Sequence, residues 1–260
     1  ADLYHTYIRR EKRNFIEVLR DFPSCRPPLD VLLSVIPFIR PREFSIASSG
    51  IACGGKELHL CVAVVEYLTF YRNPRRGLCS SWLSTAQRGK EIRLWIKRGV
   101  LRPPTNSSAP MIMVGPGTGV APMRAHIQAR EYARTKGPVG ETILFFGNRH
   151  ASLDFLYKDE LESYASTGLL KLHTAFSRDL DKKVYVQHRL REVKESVWHC
   201  LSSSPETVLL VSGSSKGMPN DVYKVLLLIA QECGGLSEAD AVQFFNLMKQ
   251  QRRYVVECWS

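Results

Sequence analysis

The sequence predicts an α/β protein in two parts, a β-rich N-terminal half followed by a doubly wound parallel sheet. Three observations carry this. In the second half, five short apolar runs alternate with five stretches of helical periodicity, as successive β-α-β units require. The first half has apolar runs set apart by turn-rich stretches, with little helical pattern after residue 35. Between them lies KRGVLRPPTNSSAP (97–110), a link rich in Pro, Ser and Asn that puts the boundary between residues 1–104 and 105–260.

Taken in order, ELHLCVAVVEY (57–67) and EIRLWIK (91–97) read as strands of an antiparallel sheet or barrel. After the link, MIMV (111–114), TILFFG (142–147), LKLHTAFS (170–177), TVLLVSG (207–213) and YVVEC (254–258) read as strands. The intervening helices are expected near 122–135, 153–165, 185–200, 219–232 and 237–250.

Composition narrows the classes. A chain of 260 residues, 44% hydrophobic, can bury the core of one large or two modest domains. It has no run of 18 apolar residues, and ADLYHTYIRREKRNF at its start is charged, so neither a membrane span nor a secretory signal is read and the cytoplasm is the expected compartment. Seven cysteines without a C-x-x-C pair argue against a disulfide framework or a metal site, and for reduced thiols. The net charge of +11 is spread along the chain, which suits an anionic ligand or an acidic partner surface. The densest basic clusters, RREKR (9–13) and QQRRY (250–254), lack interleaved aromatics, and nucleic-acid binding is not expected.

In a doubly wound sheet, ligands lie beyond the carboxyl ends of the strands, and pyrophosphate sits at a strand-to-helix turn. MIMVGPGTGVAPMR (111–124) has that form. Gly115, Gly117 and Gly119 permit close backbone approach, Thr118 offers a hydroxyl, and Pro122 suits a first helical turn whose amide end attracts anions. The pattern differs from the G-x-G-x-x-G dinucleotide fingerprint, so a plain tight turn also fits these residues. RPREFSIASS (40–49) brings Arg42, Phe44 and Ser45 onto one alternating segment, and RRGLCSSWL (75–83) sets Gly77, Cys79 and Ser80 at an expected helix start. AFSRDLDKKVYVQHRL (175–190) supplies Ser177, Arg178, Lys183, Tyr185 and Gln187, a basic, hydroxyl-rich set suited to a phosphate monoester beside an aromatic base.

The ordered series RPREFSIASS, GLCSSWL, VGPGTGVAPMR, FFGNRHASLDFLYKDEL, AFSRD, KVYVQHRL, SGSSKGMPNDV and ECWS resembles the FAD- and NADPH-binding half of the diflavin reductases, the group containing cytochrome P450 reductase. It is most similar to the branch that serves cytosolic iron–sulfur assembly. The resemblance implies a ferredoxin-NADP reductase-like fold, with a partial antiparallel FAD-binding barrel ahead of an NADPH-binding sheet. It implies that Arg42 and Ser80 hold the FAD pyrophosphate, that Phe44 packs on the flavin where a tyrosine is more usual, and that Ser45 lies near its reactive edge. Thr118 and Arg149 would meet the NADPH pyrophosphate; Ser177, Arg178, Lys183, Tyr185 and Gln187 would read its 2′-phosphate and adenine; Asp221 would shape the nicotinamide pocket; and Trp259 would cover the flavin.

The implied activity is hydride transfer from NADPH to FAD, supported at the reacting centre by Ser45, Ser212, Glu257 and Trp259. Here Ser212 stands where the resemblance expects a cysteine, and Glu257 where it expects an aspartate. FMN would be held by a flavodoxin-like domain outside this chain, with an iron–sulfur assembly protein as acceptor. RREKRNFIEVLRDF near the start resembles only the tail of the family's helical connecting segment, so the chain is expected to be the C-terminal part of a longer protein. The alternative is a nucleotide-binding or interaction module that holds no flavin and catalyses nothing.

Overall fold

The computed structural model describes residues 2–259, which divide into two compact units. The first runs up to Phe44 and resumes over Val62–Trp95; the second comprises Ser45–Cys61 and the chain from Ile96 onward.

The first unit begins with α1 (Asp2–Tyr4), which continues as a π-helical stretch, His5–Arg10. Then come α2 (Phe15–Asp21) and α3 (Leu29–Val35). Asn14 and Glu17 start α2 with a reciprocal cap: the Asn14 side chain accepts from Glu17 N at 3.0 Å and Glu17 Oε2 accepts from Asn14 N at 2.9 Å. β1 (Glu66–Leu68) and β2 (Pro74–Arg76) form an antiparallel ribbon, and α4 (Leu78–Thr85) follows.

A carboxylate holds this unit together. Glu11, 1% exposed, accepts from the Thr69 hydroxyl at 2.5 Å, Asn73 Nδ2 at 2.9 Å and Tyr71 N at 3.1 Å. Those donors surround the β1–β2 turn. Arg75 adds bonds to Glu11 O at 2.9 Å and to Glu17 at 2.6 Å.

The strands expected here form only in part. Of residues 57–67, the end enters β1 and Leu60 makes an isolated bridge to Ile46; 91–97 is in no strand. Ile92, Leu94, Trp95 and Ile96 are all exposed. A strand is marginal until a neighbouring strand pairs with it, and residues 91–97 enter neither of the sheets formed by the described residues.

The second unit is built on five parallel strands: β3 (Met111–Val114), β4 (Thr142–Asn148), β5 (Lys171–Phe176), β6 (Val208–Ser214) and β7 (Tyr254–Trp259), in spatial order β5-β4-β3-β6-β7. β3, β4 and β6 are apolar runs because both faces of the sheet are covered. On one face Ile112, Val114, Phe145 and Val211 pack with α8 (Val186–Glu192), α9 (Lys194–Ser203), α10 (Met218–Gly234) and α11 (Glu238–Gln250). On the other, Met111, Met113, Phe146 and Leu210 pack with α5 (Val120–Arg134) and α7 (Lys158–Ser166). Strand alternation thus feeds two cores from one sheet.

All five expected strands of this half are present, and the helices differ in detail. The helix expected over 153–165 is split into α6 (Ala151–Asp154) and α7, because Tyr157 adopts a left-handed conformation, φ 56°. The helix expected over 185–200 breaks at Val193 into α8 and α9. Among the described residues no helix is long and apolar enough to cross a membrane.

Candidate cofactor site

The strand order reverses direction between β3 and β6: the chain moves outward from β3 to β4 and β5 on one side, and from β6 to β7 on the other. Ligands of such sheets bind at the carboxyl ends of the two strands flanking the reversal. Here β3 ends in Gly115–Gly119 and β6 ends in Ser212–Gly213, which meet closely. A Cβ on Gly119 would lie 2.1 Å from Ser212 O, so only glycine lets α5 begin against β6. Gly117 has φ 57° and open space where a side chain would be. No side chain caps the first amides of α5 or of α10. Thr118 lies half-buried within this turn, and Asp221 lies in the first turn of α10.

Beyond the turn, Ser212 and Glu257 are register partners across β6 and β7. Ser212 is fully buried and its Oγ has no hydrogen-bond partner among the described residues. Ser45 donates its hydroxyl to Glu257 Oε1 at 2.7 Å across 212 residues of chain. Trp259 ends β7, 40% exposed, with its carbonyl accepting from Ser215 N at 2.8 Å.

The segment carrying Ser45 is fixed by a network absent from the sequence reading. Arg124 on α5, 8% exposed, donates to Ala47 O at 2.7 Å and to Glu160 at 2.7 Å, and lies 3.1 Å from His59 Nδ1. Gln128, one turn along, accepts from Ser49 N at 3.0 Å and donates to Glu160 at 3.0 Å. The Arg124 guanidinium sits 4.7 Å from the centre of the Tyr157 ring. Burial, with the neighbouring Cys61 thiol, pushes the Tyr157 hydroxyl up to about 12. Burial likewise raises Cys61, so that thiol stays protonated near neutral pH. The available signal was Arg124 and Gln128 at i, i+4 on a helix whose buried face includes Val120 and Ile127.

A second cluster forms at the ends of β4 and β5. Ser177 N donates to Asn148 O and Arg178 N to Arg149 O, each at 2.9 Å, so Arg149, Ser177 and Arg178 occupy adjacent loops. Lys183 is exposed on the same segment, Tyr185 caps the start of α8, and Gln187 lies half-buried in its first turn.

In the first unit, Arg42 is exposed and donates to Arg40 O, and Phe44 is half-buried. Gly77 precedes α4, whose first amides no side chain caps, and Cys79 is half-buried. Ser80 is buried, its hydroxyl accepting from Val65 N at 3.1 Å and bonding Gly77 O at 3.3 Å, so it shapes this turn.

A glycine-built turn at the strand reversal, beside a cation-bearing loop pair, is the form of a site for a phosphate-bearing nucleotide. Residues 1–82 match the family described as FAD binding domain, and 113–224 the family described as oxidoreductase NAD-binding domain. Curated relatives include NADPH-dependent diflavin oxidoreductase 1 of Arabidopsis thaliana, 41% identical over 100% of this chain and 42% of that protein. The protein of the same name from Bos taurus is 45% identical over 98% of this chain and 42% of its own length. NADPH--cytochrome P450 reductase of Drosophila melanogaster is 39% identical over 99% of this chain and 38% of that protein. The chain is thus similar, over nearly all of its own length, to the FAD- and NADPH-binding part of diflavin reductases, and it spans about two-fifths of the length of these relatives.

Proposed function

We propose that this chain is the FAD- and NADPH-binding module of a diflavin oxidoreductase, with residues 1–104 assigned to the FAD side and 105–260 to the NADPH side. The contact between Ser45 and Glu257, beside the unpartnered hydroxyl of Ser212, carries this reading. When bound, NADPH supplies a hydride and FAD accepts it.

The residues present suit both groups. The Gly115–Gly119 turn and the uncapped starts of α5 and α10 offer backbone amides to a pyrophosphate, with Thr118 and Arg149 alongside. The buried Ser212 hydroxyl lacks a partner that a bound nucleotide can provide. Arg178, Lys183 and Ser177 bind a 2′-phosphate, and Tyr185 and Gln187 take the adenine. Glu257, oriented by Ser45, stabilises positive charge on a nicotinamide, Asp221 shapes that pocket, and Trp259 must yield before the ring docks. In the first unit, Arg42 and the uncapped turn of Gly77, Cys79 and Ser80 suit a second pyrophosphate, while Phe44 supplies an aromatic face. Segment 57–67, whose end enters β1, is assigned to an FAD-binding barrel.

In the whole protein the module passes electrons to FMN on a flavodoxin-like domain and then to an iron–sulfur assembly protein in the cytoplasm. Arg178→Ala tests the nucleotide assignment: it should weaken NADPH binding by about 1.5–3 kcal/mol and leave NADH almost unaffected. Equal losses for both sink it. A second reading, a nucleotide-binding module without flavin, draws support from Phe38 and Ile39 of the first unit, 98% and 80% exposed. Visible flavin absorbance of the purified chain after incubation with FAD separates the two.

A further inference from the structure

Resting on the 2′-phosphate assignment of Arg178, we infer that Asp179 and His150 form a clasp that sets selectivity for the 2′-phosphate, with Asp179 as a positioning residue and not a ligand. Its place is otherwise a contradiction. In dinucleotide-binding sheets, a carboxylate near the ribose accepts from the 2′-hydroxyl and favours the unphosphorylated cofactor. Asp179 directly follows Arg178 and, left free, would repel a phosphate bound there.

Both of its oxygens are committed elsewhere. Oδ1 lies 2.9 Å from His150 Nδ1 and Oδ2 accepts from Ala151 N at 2.9 Å. The two side chains are about one-third exposed, 34% for His150 and 33% for Asp179. His150 is itself held, its N donating to Asp154 Oδ1 at 2.7 Å, and Asn148 Nδ2 donates to Asp154 O at 2.7 Å. The carboxylate therefore turns toward the β4 loop and has its charge answered there.

The same bonds join the two cation-bearing loops. Backbone bonds from Ser177 to Asn148 and from Arg178 to Arg149 tie them at the strand ends, and Asp179 adds a tie one residue further out, past both arginines. Preorganised spacing of Arg178, assigned to the 2′-phosphate, from Arg149, assigned to the pyrophosphate, rewards a nucleotide that carries both groups. The clasp thus does two things: it fixes Arg149 against Arg178 and removes a repulsive carboxylate.

The probes are 2′,5′-ADP and 5′-AMP, which differ only in the 2′-phosphate, titrated calorimetrically into the 260-residue chain, because neither needs flavin or turnover. Wild type should prefer 2′,5′-ADP. Asp179→Ala should cut that preference about tenfold by weakening 2′,5′-ADP alone, the size of one charge-assisted contact. Asp179→Asn keeps an acceptor for Ala151 N and should retain more of it. His150→Phe, which leaves the carboxylate half-answered, should lose at least as much as Asp179→Ala, and adding Asp179→Ala to it should restore the preference to the level of Asp179→Ala alone. Binding of 5′-AMP reports that each variant is folded. An Asp179→Ala protein that keeps its full preference, or loses affinity for both probes equally, overturns the clasp while the 2′-phosphate assignment stands. Wild type that binds both probes alike overturns that assignment, and the clasp with it.

Discussion

The two units are held by opposite means. The unit with the parallel sheet contains every buried apolar residue among the described ones, from Ala47 to Tyr254, including Phe145, Phe146 and Phe245 at 0% exposure. In the other unit the buried residues are polar, Glu11, Thr69 and Ser80, while Leu29, Leu33, Phe38 and Trp95 are exposed. Apolar burial is non-directional and cooperates across a whole sheet, whereas a polar knot orders only the segments its donors sit on. The first mode can hold a strained, glycine-built turn against a fully packed strand. The second fixes one hairpin and leaves its apolar neighbours to solvent.

Gly119→Ala should have the largest effect and should strike the sheet unit as a whole. Its Cβ would fall 2.1 Å from Ser212 O, and backbone on both sides must move. A loss of about 3 kcal/mol in chemical denaturation is expected, at the upper end for overpacking. A loss below about 1 kcal/mol would mean that the crevice is softer than its packing indicates.

Glu11→Ala should act locally. Thr69, Tyr71 and Asn73 lose their shared acceptor, so amide exchange should rise over 69–73 and stay unchanged in β3, β4 and β6. A rise in both units would break the contrast. The pH dependence follows from the same group. Burial opposes the ionised form, but bonds from Thr69, Asn73 and Tyr71 N, with the charge of Arg75, outweigh it and hold the carboxyl below its ordinary value. The hairpin's stabilisation is therefore full above the ordinary carboxylate range and is lost as pH falls through it toward the lower folded-state value. Protection factors at 69–73, taken relative to the intrinsic exchange rate at each pH, should fall on acidification across that range.

The smallest stability effect should carry the opposite sign. Ser212 Oγ is buried without a partner, so Ser212→Ala should leave the nucleotide-free protein unchanged or more stable by about 1 kcal/mol. The same change should weaken NADP+ binding in calorimetry. Gained stability with unaltered nucleotide affinity would return this hydroxyl to a packing role.

The five strands of the second half were legible because buried parallel strands are unbroken apolar runs, and MIMV or TILFFG admits little else. The Gly-rich turn was legible because glycine at close approach is a local requirement. EIRLWIK was misread for the converse reason: its apolar residues resemble a strand, but pairing depends on a neighbour that the run itself does not encode. The left-handed Tyr157 that divides α6 from α7 was likewise invisible, since that conformation is held by contacts to Cys61 and Arg124.

By itself, then, the sequence determined the alternation of strand and helix, the glycine turn and the supply of cations for an anionic ligand. Each depends on residues within about one turn or one strand of one another. Only tertiary structure decided what the charges do. Arg124 and Arg130, both on α5, count in the sequence as surface cations; folded, both are buried, the first on Ala47 O and Glu160, the second on Ala109 O, Gly140 O and Thr142. Ser45 meets Glu257, and Asp179 turns from Arg178 to His150, for the same reason. A buried or half-buried charge takes whichever partner the fold delivers, because leaving it unpaired costs more than any local preference, and that partner can lie two hundred residues away.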